Sequence, residues 1–355
     1  MKMRLRTRKP LLWGHAGLSM LAFLAVLIPG ILAMQRAESH PIPDPAVTRE
    51  TASSELFPVQ EEAKPFLISV YLTGSSQVEQ VPLETYVRGV LAAEMPVEFE
   101  PEALKAQALA ARTYIIRRLW EQDSSGMPEQ AGQAQVTDSI THQAYLSQKQ
   151  LASKWKGPAA EANMEKLNKA VQETAGQIIT YENKPINATF FSTSNGYTEN
   201  SEEYWGIYVP YLRSVASPWD VSESPKYKAT QRMSQAEMLR KLQQGTAVPV
   251  VKSGSGTVSA ITVLARTAGH RIKTIRAAGQ LYSGKDFRER LGLNSSQFTW
   301  RLIGKEIEFT TYGYGHGVGM SQWGANGMAR AGSTAEQIVR YYYSGVQIER
   351  VEPFL

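Results

Sequence analysis

The chain has 355 residues, 43% hydrophobic and 20% charged, which is the composition of an ordinary folded protein. It has no cysteine, so disulfides, a thiol nucleophile, thiolate zinc sites and iron–sulfur clusters are excluded. The net charge of +5 belongs to one end: Lys2, Arg4, Arg6, Arg8, Lys9 and Arg36 all precede the first acid, Glu38. The remainder is close to neutral and lacks the basic footprint of a nucleic-acid binder.

Residues 1–10 form a basic tail. Leu11 to Met34 follow without a single Asp, Glu, Lys or Arg. A helix of that length, at about 1.5 Å per residue, spans a hydrocarbon core of about 30 Å. The cations before it predict a cytoplasmic amino end and a single-pass anchor in the cell membrane, with the body outside the cytoplasm. A cleaved signal peptide is the rival reading, but Pro29-Gly30-Ile31-Leu32-Ala33-Met34 offers no clean A-x-A site. Residues 35–65 carry Pro41, Pro43, Pro45, Pro58 and Pro65 among polar neighbours and read as an extended stalk. The body, 66–355, starts near Phe66.

Within the body, Phe66–Leu72 reads as a strand. Leu83, Val87, Val90 and Leu91 recur at helical spacing, and Met95-Pro96 ends that helix at Glu94. A second helix opens at Pro101 and runs to about Trp120, with Leu104, Ala108, Ala111, Ile115 and Leu119 on its buried stripe. Ser124–Gln135 is polar and predicts a mobile loop. A helix over Ala160–Thr174 precedes strands at Gln177–Tyr181 and Ile186–Phe191. Glu199–Lys228 is aromatic without periodicity and predicts an ordered irregular loop. Ser234–Gln244 reads as a helix, Val258–Ala265 with Arg271–Ile275 as a hairpin, and Ser283–Leu291 as a helix. Phe298–Ile303 and Glu306–Thr311 read as strands. Helices over Gly319–Ala331 and Thr334–Tyr342 precede a last strand at Val346–Val351. No repeat is present, and the fold class expected is α+β, with room for two subdomains around a cleft.

Glu94 is the most informative acid. It continues the apolar face of its helix, whereas Glu84 and Arg88 occupy the polar face as an i, i+4 pair. Desolvation and the negative end of the helix dipole would both raise its pKa, as a general acid requires. The competing reading is a frayed helix end in water. Lys105 and Arg112 lie two turns apart on one helix face, either toward a ligand across the small Ala108 or toward solvent. Thr193-Ser194-Asn195-Gly196-Tyr197 gathers hydrogen-bonding groups on one turn. Residues 313–324 place His316, Ser321 and Gln322 on a loop whose alternating glycines permit close approach, to a ligand or to the protein itself.

Taken together, five stretches resemble the stage II sporulation protein D family. They are VPLETYVRGVLAAEMPVEFEPEALKAQALAARTYIIRR (81–118), VTDSITHQAYLS (136–147), ATFFSTSNGYTENSEEYWG (188–206), PYLRSVASPWD (210–220) and GYGHGVGMSQWGANGMA (313–329). The resemblance implies a peptidoglycan lytic transglycosylase with Glu94 as its catalytic acid. It places Lys105, Gln107, Arg112 and Tyr114 beside the cleft, and lines it with Ser194, Asn195, His316, Ser321 and Gln322. Some relatives resemble zinc binders near the T-D-x-x-x-H-Q segment. This chain has His142 there but no cysteine, so no metal and no cofactor are expected.

The implied substrate is the glycan strand of peptidoglycan, preferably denuded of stem peptides, cut between N-acetylmuramic acid and N-acetylglucosamine during engulfment. Asp138 and Glu98 are the only acids to check as a second carboxylate, and Tyr204 and Trp205 would stack on sugars or pack in the core. The implied partners are the sporulation amidase called protein P and the membrane protein M of the same stage. A non-catalytic glycan-binding enhancer of an amidase, found in the wider family, and a structural scaffold at the septum remain open.

Overall fold

The computed structural model describes residues 65–243 and 261–355. The expected basic tail, the 11–34 span and nearly all of the stalk lie outside the described residues, and among those described no helix is long and apolar enough to cross a membrane.

β1 (Leu67–Leu72) buries Ile68 and Val70 on one face, as its alternation predicts. It pairs antiparallel with β2 (Gln77–Pro82) and parallel with β3 (Val136–Thr137). β2 was not legible: QVEQVP is an edge strand whose single fully buried residue is Val81, so it shows no apolar period. Pro82 ends it and the helix Leu83–Glu94 begins at once, burying Leu83, Tyr86, Val87, Val90 and Leu91. The helix stops where Met95, held extended ahead of Pro96, leaves the helical region.

The helix Pro101–Trp120 is the central element. It packs against the helices Leu83–Glu94, Ala159–Glu173, Gln322–Arg330 and Ala335–Tyr342. Ala103, Ala106, Ala108, Ala110 and Ala111 are all buried, and their small side chains let helices approach from several sides. Beside it β4 (Gln177–Tyr181) lies between β14 (Gln347–Arg350) and the short β5 (Lys184–Pro185). β6 (Phe190–Phe191) pairs parallel with β13 (Met320–Ser321). The strand expected over Ile186–Phe191 is thus only its last two residues, and the helix expected from Gly319 starts at Gln322.

A second hydrophobic cluster is built from two antiparallel sheets. One has β12 (Glu306–Tyr312) between β11 (Phe298–Ile303) and β7 (Lys228–Ser234). The other has β9 (Ile272–Ala277) between β8 (Thr262–Arg266) and β10 (Gln280–Ser283). The helices Gln235–Gln243 and Gly284–Leu291 contribute Met238, Leu242, Phe287 and Leu291 to it. Phe287, Phe298 and Phe309 form its aromatic centre, with ring centroids 5.2 to 6.1 Å apart.

Three expectations need correction. Ser124–Gln135 is tied down: Arg118 donates to the carbonyls of Ser125 and Gln135, and Gln135 N–H continues the ladder to Ser69 O. The irregular stretch 199–228 contains two short helices, Ser201–Trp205 and Trp219–Glu223. The hairpin at Gly269 has a third strand, β10, which reads poorly because only Tyr282 of its four residues is buried.

Candidate active site

Glu94 sits at the carboxyl end of its helix, half-buried. Its Oε1 accepts the Ala144 N–H at 3.0 Å. That donor is delivered by a local device on the same helix. Gly89 has no side chain, so the ring of Tyr145 and the carbonyl of Leu146 settle where a Cβ would lie, 2.3 and 2.7 Å from them. Leu146 N–H then bonds Gly89 O at 3.2 Å, and the chain passes Glu94 at Ala144. Tyr86 stacks on Tyr145 with centroids 5.4 Å apart and donates to Gln143 Oε1 at 3.1 Å, fixing the segment from its other side.

Burial raises the Glu94 pKa above the ordinary glutamate value, while the Ala144 N–H and the neighbouring Gln322 amide pull it back. No ion pair to Glu94 exists among the described residues. The helix end is capped separately, since Lys154 Nζ donates to Ala92 O at 2.6 Å. Desolvation is therefore the leading cause of the shift, and the cation on the terminal carbonyls offsets the dipole. The frayed-end reading fails, because the carboxyl is anchored and largely shielded.

Gln322 is the second predicted residue that the fold brings to Glu94. Its Nε2 is buried without a regular hydrogen-bond partner, a donor held beside the carboxyl. Ser321, one residue before, caps the helix Gln322–Arg330 by accepting Gly324 N–H, and donates to Asp220 Oδ1 at 2.5 Å. Asp220 is wholly buried and collects Ser194 N–H at 2.7 Å and Ser217 Oγ at 2.6 Å as well. Burial raises its pKa. Asp220 thus ties the 193–197 turn, the PWD segment and the glycine-rich loop into one unit behind Gln322. Sequence reasoning missed it as a site residue because its role is contact with two distant segments, at Ser194 and Ser321.

The remaining predicted residues separate from Glu94 or turn inward. Arg112 is 0% exposed and spends its guanidinium on protein: Nε and Nη2 reach Glu84 at 2.6 to 3.2 Å, and Nη1 donates to Gln177 O at 3.1 Å. Glu84 opens the helix that Glu94 closes, about 15 Å away along the axis. The expectation that Arg112 lines the cleft is corrected: it is a buried strut. Lys105 is likewise held by Glu102 at 2.6 Å and by Glu173. Gln107 is wholly buried with neither amide atom partnered among the described residues. Tyr114 packs against the main cluster beside Arg118.

Ser194 donates its hydroxyl to Ser217 O at 3.1 Å, and Asn195 Nδ2 bonds Gly269 O at 2.8 Å and Gln297. Both serve loop architecture. His316 Nδ1 accepts Val318 N–H at 3.1 Å, so Nε2 carries the proton and donates to Phe190 O at 3.1 Å. Burial pushes its pKa down to about 4, with Arg288 and Arg271 adding to the effect. Its ring lies 5.6 to 5.8 Å from Phe191, Tyr204 and Trp205. The alternating glycines resolve toward protein packing: Gly313, Gly315, Gly317 and Gly319 all have positive φ, and a Cβ on Gly319 would lie 2.0 Å from Thr189 O.

Neither candidate second carboxylate is held in the way Glu94 is. Asp138 accepts Thr73 N–H at 3.0 Å and its hydroxyl at 2.8 Å, closing the end of β1, and Glu98 is exposed. His142 is engaged through both ring nitrogens, by Thr137 and Ser125 O. Among the described residues no group of three or more His, Asp or Glu side chains could hold a metal.

A family model described as Stage II sporulation protein matches residues 71–181, which contain Glu94 and its Ala144 anchor. The chain is similar to stage II sporulation protein D of Bacillus subtilis (strain 168), 45% identical over 343 residues, covering 95% of this chain and 96% of that protein. It is similar to stage II sporulation protein D of Bacillus amyloliquefaciens, 47% identical over 348 residues, covering 95% and 96%. A more distant similarity, 27% over 307 residues and 74% of this chain, is to the amidase enhancer of Bacillus subtilis, of which it covers 40%.

Proposed function

The chain belongs to the stage II sporulation protein D family, and from that premise we propose that it is a peptidoglycan lytic transglycosylase with Glu94 as its acid and base. The observation that carries this reading is the Glu94 carboxyl: shielded, raised in pKa, anchored by Ala144 N–H and without a cationic partner among the described residues. Such a group keeps its proton to higher pH than an ordinary glutamate and can release it to a leaving oxygen.

Protonated Glu94 donates to the glycosidic oxygen between N-acetylmuramic acid and N-acetylglucosamine. The bond breaks, and positive charge develops at the anomeric carbon of the muramic residue. The carboxylate left behind takes the proton of that residue's own C6 hydroxyl, whose oxygen closes on the anomeric carbon. The products are a 1,6-anhydro end and a free N-acetylglucosamine hydroxyl. A retaining hydrolase needs a second carboxylate about 5–5.5 Å away and an inverting one about 6.5–9.5 Å. Internal attack needs neither, and Asp138 is already engaged by Thr73.

The substrate in this reading is glycan already stripped of stem peptides by an amidase, protein P, with the membrane protein M completing the assembly. The 11–34 segment anchors the chain in the membrane with the body outside. A second reading, a glycan-binding enhancer of an amidase, draws on the similarity to the amidase enhancer. The test is incubation of the purified protein with denuded glycan strands, with and without the amidase, followed by mass spectrometry of the ends. Anhydro ends support the transglycosylase and new reducing ends a hydrolase. Intact strands with a stimulated amidase support the enhancer.

A further inference from the structure

Away from Glu94, a cavity of about 70 Å³ opens between the 199–205 segment and the second hydrophobic cluster. Three cations line it, Arg271, Lys273 and Lys285, against two acids, Glu199 and Glu203. Lys273 is paired with Glu203 at 3.0 Å. Lys285 has no carboxylate partner among the described residues and rests over the Tyr204 ring at 5.1 Å.

Arg271 is the unusual member. It is 2% exposed, yet the two hydrogen bonds of its guanidinium both leave from Nη1, to the carbonyls of Tyr197 at 3.2 Å and Gly269 at 3.5 Å. Its buried Nε has no partner. Glu199 lies 3.8 Å from Nη1 but is otherwise occupied, by the Thr267 hydroxyl and the N–H groups of Gly269 and Asn200. A buried, unsatisfied charged donor is costly unless something completes it. Burial lowers the guanidinium to about 10, so it stays charged at neutral pH.

The cavity also receives the amino end of the helix Gly284–Leu291, whose cap Ser283 and first residues Gly284 and Lys285 form part of its wall. That end carries the positive pole of the helix and N–H groups not used within it. A forked guanidinium, a lysine and a helix amino end facing one small space make a receptor for a carboxylate.

Its position links it to the glycan site. A Cβ on Gly317 would lie 2.4 Å from Arg271 Cζ, so the glycine-rich loop backs the guanidinium directly. Gln322, beside Glu94, is five residues further along the chain, where that loop gives way to the helix Gln322–Arg330. Even fully extended, that stretch spans at most about 18 Å. Arg271, behind Gly317, and Gln322, beside Glu94, are therefore separated by no more than the length of a few sugars.

We propose that this cavity is a carboxylate subsite, taking the free acid side group of a muramic residue a few sugars from the cleaved bond. The inference rests on the glycan reading above and deepens it. In a strand that still carries stem peptides the acid is an amide, neutral and bulky, and the subsite rejects it on charge and on size. Arg271 and Lys285 thereby become residues that select denuded strands, and they act on binding rather than on the chemical step.

The test uses the full chain carrying Glu94→Gln, which holds strands without cutting them. Calorimetric titration compares two matched oligosaccharides, one with free lactyl acids and one with the acids converted to methylamides. The parent should bind the free-acid strand at least about tenfold more tightly, and salt should erode that preference. Adding Lys285→Gln should reduce it to about threefold, and Arg271→Gln should abolish it, with affinity for the neutral strand unchanged. Should Arg271→Gln fail to fold, Lys285→Gln alone decides, its side chain being partly exposed. Equal binding of the two strands by the parent, or a preference that survives in both variants, would overturn the subsite and leave the transglycosylase reading standing. No binding of either strand would overturn both. D-lactate alone is the control for a free-anion site: tight lactate binding without strand preference would also overturn the proposal.

Discussion

The two ends of the helix Leu83–Glu94 carry a glutamate each, and the fold treats them in opposite ways. Glu84 meets a wholly buried arginine, accepts Gly176 N–H at 3.1 Å, and joins three segments that are far apart in sequence. Glu94, ten residues on, meets a backbone N–H, an amide and no cation among the described residues. A carboxylate that spends its oxygens on the buried Arg112 and on Gly176 N–H holds distant segments together. A carboxyl that is shielded but has no cation to pair with has its pKa raised by burial, the direction a general acid needs. Partner, more than burial or helix position, separates the structural acid from the chemical one.

The comparison can be broken first at its chemical end. Glu94→Gln keeps the side chain's volume and removes its proton; product release from denuded glycan should fall by about 10²–10⁴-fold, with the chain still folded by circular dichroism. Arg112→Ala should do the reverse. It strands Glu84 and opens a buried void, costing roughly 3 kcal/mol in urea unfolding, while the molecules that remain folded keep their rate.

Gly89→Ala sharpens the contrast further. The new methyl meets the Tyr145 ring and Leu146 O, so the 144–146 segment must withdraw from Glu94. Losing the Ala144 N–H removes one of the two groups that lower the Glu94 pKa, and the alkaline limb of the rate profile should move to higher pH. The stability cost should be about 1–3 kcal/mol, read from the same urea titration.

The smallest effect concerns His316. Its folded pKa, about 4, lies below its ordinary value of 6.5, so between those values the unfolded chain binds more protons. Its stabilisation is complete above pH 6.5 and is lost as pH falls toward about 4. Melting temperatures of wild type should therefore drop across that window more steeply than those of His316→Gln.

Local pattern carried the helices Leu83–Glu94 and Pro101–Trp120, because apolar spacing and the flanking prolines act within one element. It also singled out Glu94, whose position on an apolar face is a property of twelve consecutive residues. It failed for β2 and β10, whose exposed faces dilute the alternation. It failed for Arg112 and Lys105 because pairing partners such as Glu84 and Glu173 are chosen by tertiary packing. The glycines of 313–319 were visible as a signal, but only the structure shows them pressed against Thr189, Phe191, Thr193 and Arg271. Asp220 and Gly89 went unread for the same reason: their importance lies in what crosses them.

The pH dependence of kcat/KM on denuded glycan addresses the Glu94 assignment most directly. The rate requires Glu94 to begin protonated, and burial raises its pKa, so the profile should fall on an alkaline limb centred above the ordinary glutamate value of about 4.3. The residual rate of Glu94→Gln should show no such limb. A wild-type limb at the ordinary value, or the same limb retained in Glu94→Gln, would assign the proton to another group and contradict the catalytic role of Glu94.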